Sequence, residues 1–211
     1  TQAELMSHID KLNRDPLVHG VLIQHPLPSH LDESAALIAL GPEKDVDGIT
    51  PQSMGQLTCD LPGFRCATPL GMMKLLDHYK VDCQGKNAVV IGRSVILGKP
   101  AALMLLQQNA TVTIAHSKTA NLADLCRTAD ILVAAVGRPE MVKGDWIKPG
   151  AIILDAGYNK VEGRSHDVGD CDFESCSRRA SMITPVPGGV GPMTVASLLS
   201  NAVEAAEKTI S

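Results

Sequence analysis

The first third of the chain combines one clear helical pattern with an apolar run and a long stretch without periodicity. Residues 1–15 begin with Thr1-Gln2-Ala3-Glu4, a capping box, and continue with apolar residues at helical spacing. Residues 18–24 (VHGVLIQ) are typical of a buried strand, and residues 31–40 predict a short helix. Residues 41–68 are rich in Gly, Pro and Asp, which predicts loops that wrap a site.

The rest of the chain alternates buried apolar runs with helical patterns. The predicted strands are 88–91, 111–115, 130–136, 151–154 and 181–184, and the predicted helices are 70–79, 100–108, 122–129 and 193–208. Strands that alternate with helices at this spacing favour a parallel, doubly wound sheet. The fold class predicted from the pattern is therefore α/β.

Composition and charge exclude several classes of function. Hydrophobic residues make up 45% of the chain and charged residues 20%, so a packed core is expected. A net charge of −4 and an aromatic content of 2% argue against a nucleic-acid binder that works by a basic field or by base stacking. No apolar run approaches the roughly twenty residues that span a bilayer, so we expect no membrane partner.

The six cysteines form no Cys-x-x-Cys pair. This spacing indicates reduced thiols in a cytoplasmic compartment and argues against a disulfide scaffold or a zinc ribbon. We predict no metal site.

A glycine-rich loop joins the strand at 88–91 to the helix that follows it. It runs from Gly92-Arg93-Ser94 to Gly98-Lys99-Pro100, and its spacing is neither that of a dinucleotide fingerprint nor that of a Walker loop. Glycine at a strand-to-helix turn lets backbone amides face a phosphate. On spacing alone, nucleotide binding and a simple tight turn remain equal alternatives.

The end of the next strand bears on the choice of nucleotide. An NAD site places a carboxylate there for the ribose 2′-hydroxyl. This chain instead has His116-Ser117-Lys118, and Arg93 stands in the preceding loop. A cation with hydroxyl donors suits a 2′-phosphate and favours NADP; the alternative is that Arg93 and Lys118 are solvated surface charges.

Three further segments carry candidate chemistry. Lys44-Asp45-Val46-Asp47-Gly48 places two carboxylates on one face of an extended chain, although Asp-Gly is also a common turn. Gln24 ends the predicted strand 18–24, either as a ligand group or as an amide bonded to backbone. The loop 185–192 (PVPGGVGP) is suited to a close backbone approach to a ligand, or to a linker between domains.

Taken in order along the chain, these motifs resemble those of the bifunctional methylenetetrahydrofolate dehydrogenase/cyclohydrolase family. The resemblance covers nearly the whole chain and rests on 19–24 with Pro26-Leu27-Pro28, and on 44–48, 68–71, 92–100, 110–113 with 116–119, and 185–194. It implies residues 1–68 as the remainder of a smaller, truncated α/β domain that binds folate and carries catalysis, and 69–190 as a Rossmann-type NADP-binding domain. Residues 191–211 are then a C-terminal helix that packs back on the first domain.

The resemblance also implies an activity. Family members oxidise methylenetetrahydrofolate to the methenyl form, pass hydride to NADP, and hydrolyse the product to formyltetrahydrofolate. A folate substrate, a homodimer, no metal, and a place in one-carbon metabolism and purine biosynthesis are expected.

Site residues follow by matching position. The expected catalytic residues are Gln24, which polarises the substrate, and Asp47, which holds the pterin ring. The expected cofactor-binding residues are Gly92, Arg93, Ser94, Ser117 and Tyr158. The expected substrate-binding residues are Ile23, Gln24, His25, Asp47, Pro187, Gly188, Gly189, Val190 and Gly191.

The chain departs from the family pattern in one important respect. The Tyr-x-x-x-Lys helix, which carries the catalytic lysine and a stacking tyrosine, has no match, because the only tyrosines are Tyr79 and Tyr158. The chain thus resembles a family member without its N-terminal segment, and we expect hydrolysis to suffer most and cofactor binding least. A non-catalytic NADP- or folate-binding short form is the alternative. Another two-domain NADP enzyme is disfavoured by 44–48 together with 185–192.

Overall fold

A computed structural model describes residues 1–210; Ser211, the last residue of the predicted C-terminal segment, lies outside the described residues. The helices are α1 (Gln2–Arg14), α2 (Glu33–Ala39), α3 (Pro51–Thr58), α4 (Ala67–His78), α5 (Gly98–Gln107), α6 (Leu122–Cys126), α7 (Phe173–Ser177) and α8 (Val190–Ile210). The strands are β1 (Asn87–Ile91), β2 (Thr111–Ala115), β3 (Ile131–Ala134), β4 (Ile152–Asp155) and β5 (Met182–Ile183). Every predicted strand from residue 88 onward is confirmed, with ends that differ by a few residues.

The five strands form one parallel sheet in the order β2-β1-β3-β4-β5. The chain leaves β1 toward one edge of the sheet and leaves β3 toward the other, so the order reverses between these two strands. Ligands of such sheets bind outside the carboxyl ends of the strands at this reversal. The predicted α/β, doubly wound, Rossmann-type fold is confirmed, and a ligand is expected at this reversal.

The three inner strands β1, β3 and β4 are buried on both faces, which explains their nearly continuous apolar sequences. Val90 and Val133 point to the face covered by α4 and α5, where they join Met72 and Leu105 in one core cluster. Their neighbours Val89 and Leu132 point to the opposite face and pack with Cys126 and Ile147. The side chains alternate between the two faces, as the period of a strand requires.

The described chain divides into two compact units. The first unit comprises residues 1–67 and the chain from Ala196 onward, and the second comprises residues 68–195. The first unit contains α1 to α3 and most of α8. In that unit Asn201 donates through Nδ2 to the carbonyl oxygens of Val46 at 2.8 Å and Arg65 at 3.0 Å. The assignment of folate and NADP to these units remains a prediction.

Two predictions for the first unit are wrong. Residues 18–24 are not a regular strand: the segment makes one isolated parallel bridge, Val21 to Asp45, in which the Val21 amide donates to the Lys44 carbonyl at 2.7 Å. Its apolar pattern arises because alternate side chains are buried, and not because the segment pairs with another strand in a β-sheet. The loop predicted over 41–68 contains α3, which begins where Thr50 caps the helix and Pro51 takes its first turn, a favoured place for proline.

The capping box at the start of the chain is confirmed. The Thr1 hydroxyl accepts from the Glu4 amide at 3.3 Å, and the Glu4 carboxylate accepts from the Thr1 amino group at 2.7 Å. Within residues 1–210, no helix is long and apolar enough to cross a membrane.

Candidate cofactor and substrate sites

The glycine loop after β1 requires glycine at both of its ends. Gly92 has φ of +128°, and a Cβ there would lie 2.2 Å from the carbonyl oxygen of Ala135. A Cβ on Gly98 would lie 2.3 Å from the carbonyl oxygen of Gly92. Ser94 closes the turn, because its hydroxyl accepts from the Gly98 amide at 3.3 Å and its carbonyl accepts from the Lys99 amide at 3.0 Å. The loop is therefore tightly folded onto the start of α5.

A cavity of about 320 Å³ opens at the carboxyl ends of β1, β2 and β3. The loop after β1 contributes Gly92 and Arg93, and the loop after β2 contributes His116 and Ser117. The structure thus brings three of the predicted cofactor residues, Gly92, Arg93 and Ser117, together in the lining of this cavity. Among the described residues that line this cavity, neither Ser94 nor Lys118 appears.

The loop after β3 supplies a residue that the sequence analysis missed. Arg138 lines the same cavity as Arg93. The only sequence signal was its place shortly after a predicted strand, and its proximity to Arg93 depends on β1 and β3 being neighbours in the sheet. Two guanidinium groups in one cavity of this size can hold a phosphate through paired, charge-assisted hydrogen bonds.

A second cavity, of about 290 Å³, lies in the same unit at the carboxyl end of β4. It is lined by Tyr158 and by the whole glycine-rich loop 185–192, so the structure brings together Tyr158 and the predicted substrate-binding residues 187–191. A Cβ on Gly189 would lie 2.5 Å from the Pro185 carbonyl oxygen. The loop is therefore closely packed on itself, and its glycines expose backbone to the cavity.

Tyr158 is two-thirds exposed at the rim of this cavity. A hydrogen bond with Asp167 and the negative charge of that carboxylate raise the pKa of Tyr158 above its usual value. The phenol therefore stays neutral and can donate a hydrogen bond across the physiological pH range.

In the first unit, the two carboxylates of 44–48 have different surroundings. Asp45 is fully buried and accepts from the amides of Gly48 at 3.0 Å, Ile49 at 3.3 Å and Thr50 at 2.8 Å, and from the Ser53 hydroxyl at 2.6 Å. It closes a turn, so the extended arrangement considered from the sequence is wrong and the turn alternative is confirmed. Both carboxylate oxygens of Asp45 therefore accept hydrogen bonds from within the protein.

Asp47 is only partly buried and faces no such set of donors. Burial, reinforced by the negative charge of Asp45, raises the pKa of the Asp47 carboxyl above its usual range, and His25 opposes that shift. A half-buried carboxylate held on a rigid turn is free to accept hydrogen bonds from a ligand.

The segment 23–25 presents its three predicted site residues differently. The Ile23 side chain is buried in a core cluster, so only its backbone can meet a ligand. Gln24 is exposed, and its Nε2 donates to the carbonyl of His25 at 3.1 Å. An exposed amide of this kind can reorient toward a substrate at little cost.

His25 is buried apart from 12% of its side chain. Its Nδ1 lies 3.1 Å from Oε1 of Glu33, within ion-pair distance but without aligned hydrogen-bond geometry. Neither ring nitrogen has a hydrogen-bond partner among residues 1–210. A hydrogen bond from the Leu27 amide, followed by the contact with His25, lowers the pKa of Glu33. Buried nitrogens without partners are unusual and indicate a place where a ligand or water binds.

Within the part of the chain that the structure describes, no cluster of His, Cys, Asp and Glu side chains is arranged to hold a metal ion. All six cysteines are unpaired thiols, and only Cys59 is exposed. Burial raises the pKa of the Cys66 thiol well above its usual value.

The doubly wound sheet, with its glycine loop and two arginines at the carboxyl edge, defines a dinucleotide-binding protein of Rossmann type. Residues 66–210 match the family model described as tetrahydrofolate dehydrogenase/cyclohydrolase, NAD(P)-binding domain, and residues 1–47 match the catalytic domain of the same family. The chain belongs to the tetrahydrofolate dehydrogenase/cyclohydrolase family, as its motifs indicated.

Similar proteins cover almost the entire chain. The bifunctional protein FolD of Shouchella clausii is 51% identical over 100% of this chain and 74% of its own length. That of Moorella thermoacetica is 55% identical over 99% of this chain and 74% of its own.

Solved structures give the same result. The bifunctional FolD dehydrogenase/cyclohydrolase of Campylobacter jejuni has a TM-score of 0.96 at 47% identity, covering 99% of this chain and 74% of that one. The Trypanosoma brucei enzyme, solved with NADP cofactor and inhibitor, has a TM-score of 0.95 at 40% identity, covering 100% of this chain and 74% of that one.

Proposed function

We propose that this protein is an NADP-dependent methylenetetrahydrofolate dehydrogenase and methenyltetrahydrofolate cyclohydrolase. It oxidises methylenetetrahydrofolate to the methenyl form and hydrolyses that product to formyltetrahydrofolate, a reaction pair of one-carbon folate metabolism. The observation that carries this conclusion is the identity of about half of all positions with bifunctional relatives across practically the whole chain.

The second unit supplies the proposed cofactor site. NADP, when bound, accepts the hydride that leaves the substrate carbon. The residues fit such a group, because Gly92 gives the backbone a close approach and the cavity beside it carries Arg93 and Ser117. We assign the phosphates and ribose to Gly92, Arg93, Ser94 and Ser117. Tyr158, in the second cavity of this unit, is the remaining proposed cofactor contact.

The first unit supplies proposed folate contacts. Asp47 accepts hydrogen bonds from the pterin ring, because its carboxylate is only partly buried and, unlike that of Asp45, is not surrounded by four donors. Gln24 polarises the substrate through its exposed amide, and His25 offers buried ring nitrogens without partners. Together with the backbone of Ile23, these residues are the proposed substrate-binding set of this unit; in the second unit the set comprises Pro187, Gly188, Gly189, Val190 and Gly191.

Hydride transfer and hydrolysis make different demands on these residues. Hydride transfer needs the donor carbon held in line with the acceptor, which positioning alone achieves. Hydrolysis adds water to the methenyl carbon and releases a proton, so it needs a group that accepts that proton. We therefore expect substitutions that disturb proton transfer to separate the two activities.

The assembly, location and pathway are further parts of this proposal. We propose a homodimer, supported by the open edge of the sheet at β2, where the side chain of Ile114 is 42% exposed. A cytoplasmic location is supported by six cysteines that are all unpaired thiols. The formyl product would serve one-carbon transfer reactions, including purine biosynthesis.

The test is a coupled assay of the chain with NADP and methylenetetrahydrofolate. Reduced NADP and methenyltetrahydrofolate should appear together, and methenyltetrahydrofolate supplied alone should be hydrolysed. NADP binding without either reaction would contradict the enzymatic proposal and favour a non-catalytic binding form.

A further inference from the structure

Two arginines of the second unit differ from all others in the described chain. The chain has eight arginines, and six of them place their guanidinium groups on carboxylates or backbone carbonyls. Arg93 and Arg138 have no such acceptor among residues 1–210. Both line the cavity of about 320 Å³ at the carboxyl ends of β1, β2 and β3. Both residues are exposed, so water solvates their charges in the free protein, and an anionic ligand that enters the cavity can pair with them.

The backbone of Arg138 is held by a buried carboxylate. Asp170 is 0% exposed, and its Oδ2 accepts from the amides of Val136 at 2.6 Å and Gly137 at 3.0 Å. Its Oδ1 accepts from the amide of Arg138 itself at 2.8 Å and from Nδ2 of Asn159 at 2.9 Å. Three successive backbone amides therefore converge on one side chain.

This convergence decides which part of the loop can meet a ligand. Successive amides that point to one place form a nest that commonly binds an external anion. Here Asp170 occupies the nest from inside the protein, so the amides of residues 136–138 are already used. Among the described lining residues that follow β3, Arg138 is the one with a charged side chain, so we take that side chain as the group that meets an anion.

We propose that Arg138 is a second ligand of the 2′-phosphate of NADP, acting beside Arg93, and that Asp170 is the residue that positions it. The inference rests on the proposed NADP-dependent function. A guanidinium presents a planar fork of donors that suits a phosphate, and a dianionic phosphate can accept from two such forks. The residue thereby contributes to the choice of NADP over NAD.

The test measures dissociation constants for NADP and NAD by calorimetry, without turnover. In Arg138→Ala, NADP binding should weaken by about tenfold to a hundredfold, the range expected for losing charged hydrogen bonds, while NAD binding changes by less than about twofold. Arg178→Ala is the matched control, because Arg178 is an exposed arginine of the same unit that pairs with Glu174 and does not line the cavity. It should leave both constants unchanged.

The positioning role of Asp170 needs a readout that a general loss of stability would not produce. Asp170→Asn replaces one acceptor oxygen with a donor that faces backbone N–H groups. It should reduce the ratio of NADP to NAD affinity in the wild-type background and have no further effect on that ratio in the Arg138→Ala background. If Asp170→Asn does not fold, Asn159→Ala, which removes one hydrogen bond to Asp170, should shift the ratio in the same direction by a smaller factor.

Equal losses of NADP and NAD affinity in Arg138→Ala, or no loss of either, would overturn the inference. An Asp170→Asn effect of the same size in both backgrounds would overturn the positioning role. NADP binding without turnover would contradict the proposed enzyme, while the affinity ratios would still decide the role of Arg138. A wild-type chain that binds neither cofactor would overturn both proposals.

Discussion

Asp155 accepts a hydrogen bond from the backbone amide of Asp170 through Oδ1 at 3.0 Å. The buried carboxylate of Asp155 therefore holds the backbone segment that carries the buried carboxylate of Asp170. The Asp155 carboxylate also accepts from the amides of Gly157 at 2.9 Å and Cys171 at 2.8 Å. The chain approaches so closely that a Cβ on Gly157 would lie 2.3 Å from the Asp170 nitrogen. The carboxyl end of β4 is therefore fixed to the segment at 170–171 by a single side chain.

Removal of this carboxylate should destabilise the second unit. Asp155→Ala leaves three backbone amides without acceptors, and we expect the free energy of unfolding to fall by about 3–5 kcal/mol. Urea unfolding measures this change. Glu174→Ala, which removes an exposed ion pair on α7, should change it by less than about 0.5 kcal/mol. A loss below about 1 kcal/mol in Asp155→Ala would contradict the role of Asp155.

The same carboxylate should make stability depend on pH. Burial raises the pKa of Asp155 above its ordinary value of 3.8, although its three amide donors oppose the shift. The folded state therefore keeps the proton to higher pH than the unfolded chain, and the contribution of this group to stability falls as pH rises above 3.8. Asp155→Asn does not titrate and should remove that slope when unfolding free energies are compared between about pH 4 and pH 7. An unchanged slope would show that other groups cause it.

Arg93→Ala should weaken NADP binding much more than NAD binding. Arg93 lines the cavity and has no acceptor among the described residues, so its charge is available for the 2′-phosphate. Calorimetry should show a loss of about tenfold or more for NADP. Equal losses for the two cofactors would exclude Arg93 from the 2′-phosphate and leave it a general phosphate contact.

Asp47→Asn should weaken folate binding and spare NADP binding. Because burial and the charge of Asp45 raise the pKa of Asp47, this group takes up a proton at a higher pH than an ordinary aspartate as the solution is acidified. Wild-type folate affinity should therefore fall on acidification from a higher pH than an ordinary aspartate would give, and the variant should lack this fall. Glu43→Gln, at an exposed neighbouring carboxylate, is the control. Identical pH profiles of folate affinity for variant and wild type would show that Asp47 does not bind folate and serves only in the turn.

His25→Leu should separate stability from binding. The substitution removes two buried ring nitrogens that lack aligned hydrogen bonds, and it also removes the 3.1 Å contact of Nδ1 with Glu33, whose carboxylate keeps its hydrogen bond from the Leu27 amide at 3.0 Å. Because these two effects oppose each other, we expect the unfolding free energy to change by less than about 1 kcal/mol while folate affinity falls. His30→Leu, at an exposed histidine of the same segment, should change neither quantity. A variant that binds folate as the wild type does would contradict the assignment of His25 to the substrate.

The second unit was more predictable from the sequence than the first because its elements have strong local signals. Apolar strands such as 88–91 are buried on both faces, so their pattern is continuous and unambiguous. The segment 18–24 has a similar pattern but makes only one bridge, because pairing depends on distant residues that periodicity does not describe. Helix α3 was hidden among glycines and prolines, although Thr50-Pro51 is a start signal.

The residues that line the cavity of about 320 Å³ were predictable where they directly follow a predicted strand, and unpredictable where the fold brings distant segments together. Arg93 and Ser117 follow strands that the sequence already placed at the cofactor. Arg138 joins them only because β1 lies between β2 and β3 in the sheet. The link from Asp170 to residues 136–138 spans more than thirty positions of the chain, and nothing in the local pattern of either segment indicates it.

The hydrogen bonds from residues 136–138 to Asp170 mean that this loop acquires its shape during folding. Ordering three residues at the moment of cofactor binding would cost about 3–6 kcal/mol of conformational entropy. This entropy is already lost when the sheet assembles during folding. The loop 136–138 is therefore ordered before a nucleotide binds. If Arg138 contacts the 2′-phosphate as proposed, the loop distinguishes NADP from NAD with a shape it already has before binding, and it does not need to close over the nucleotide.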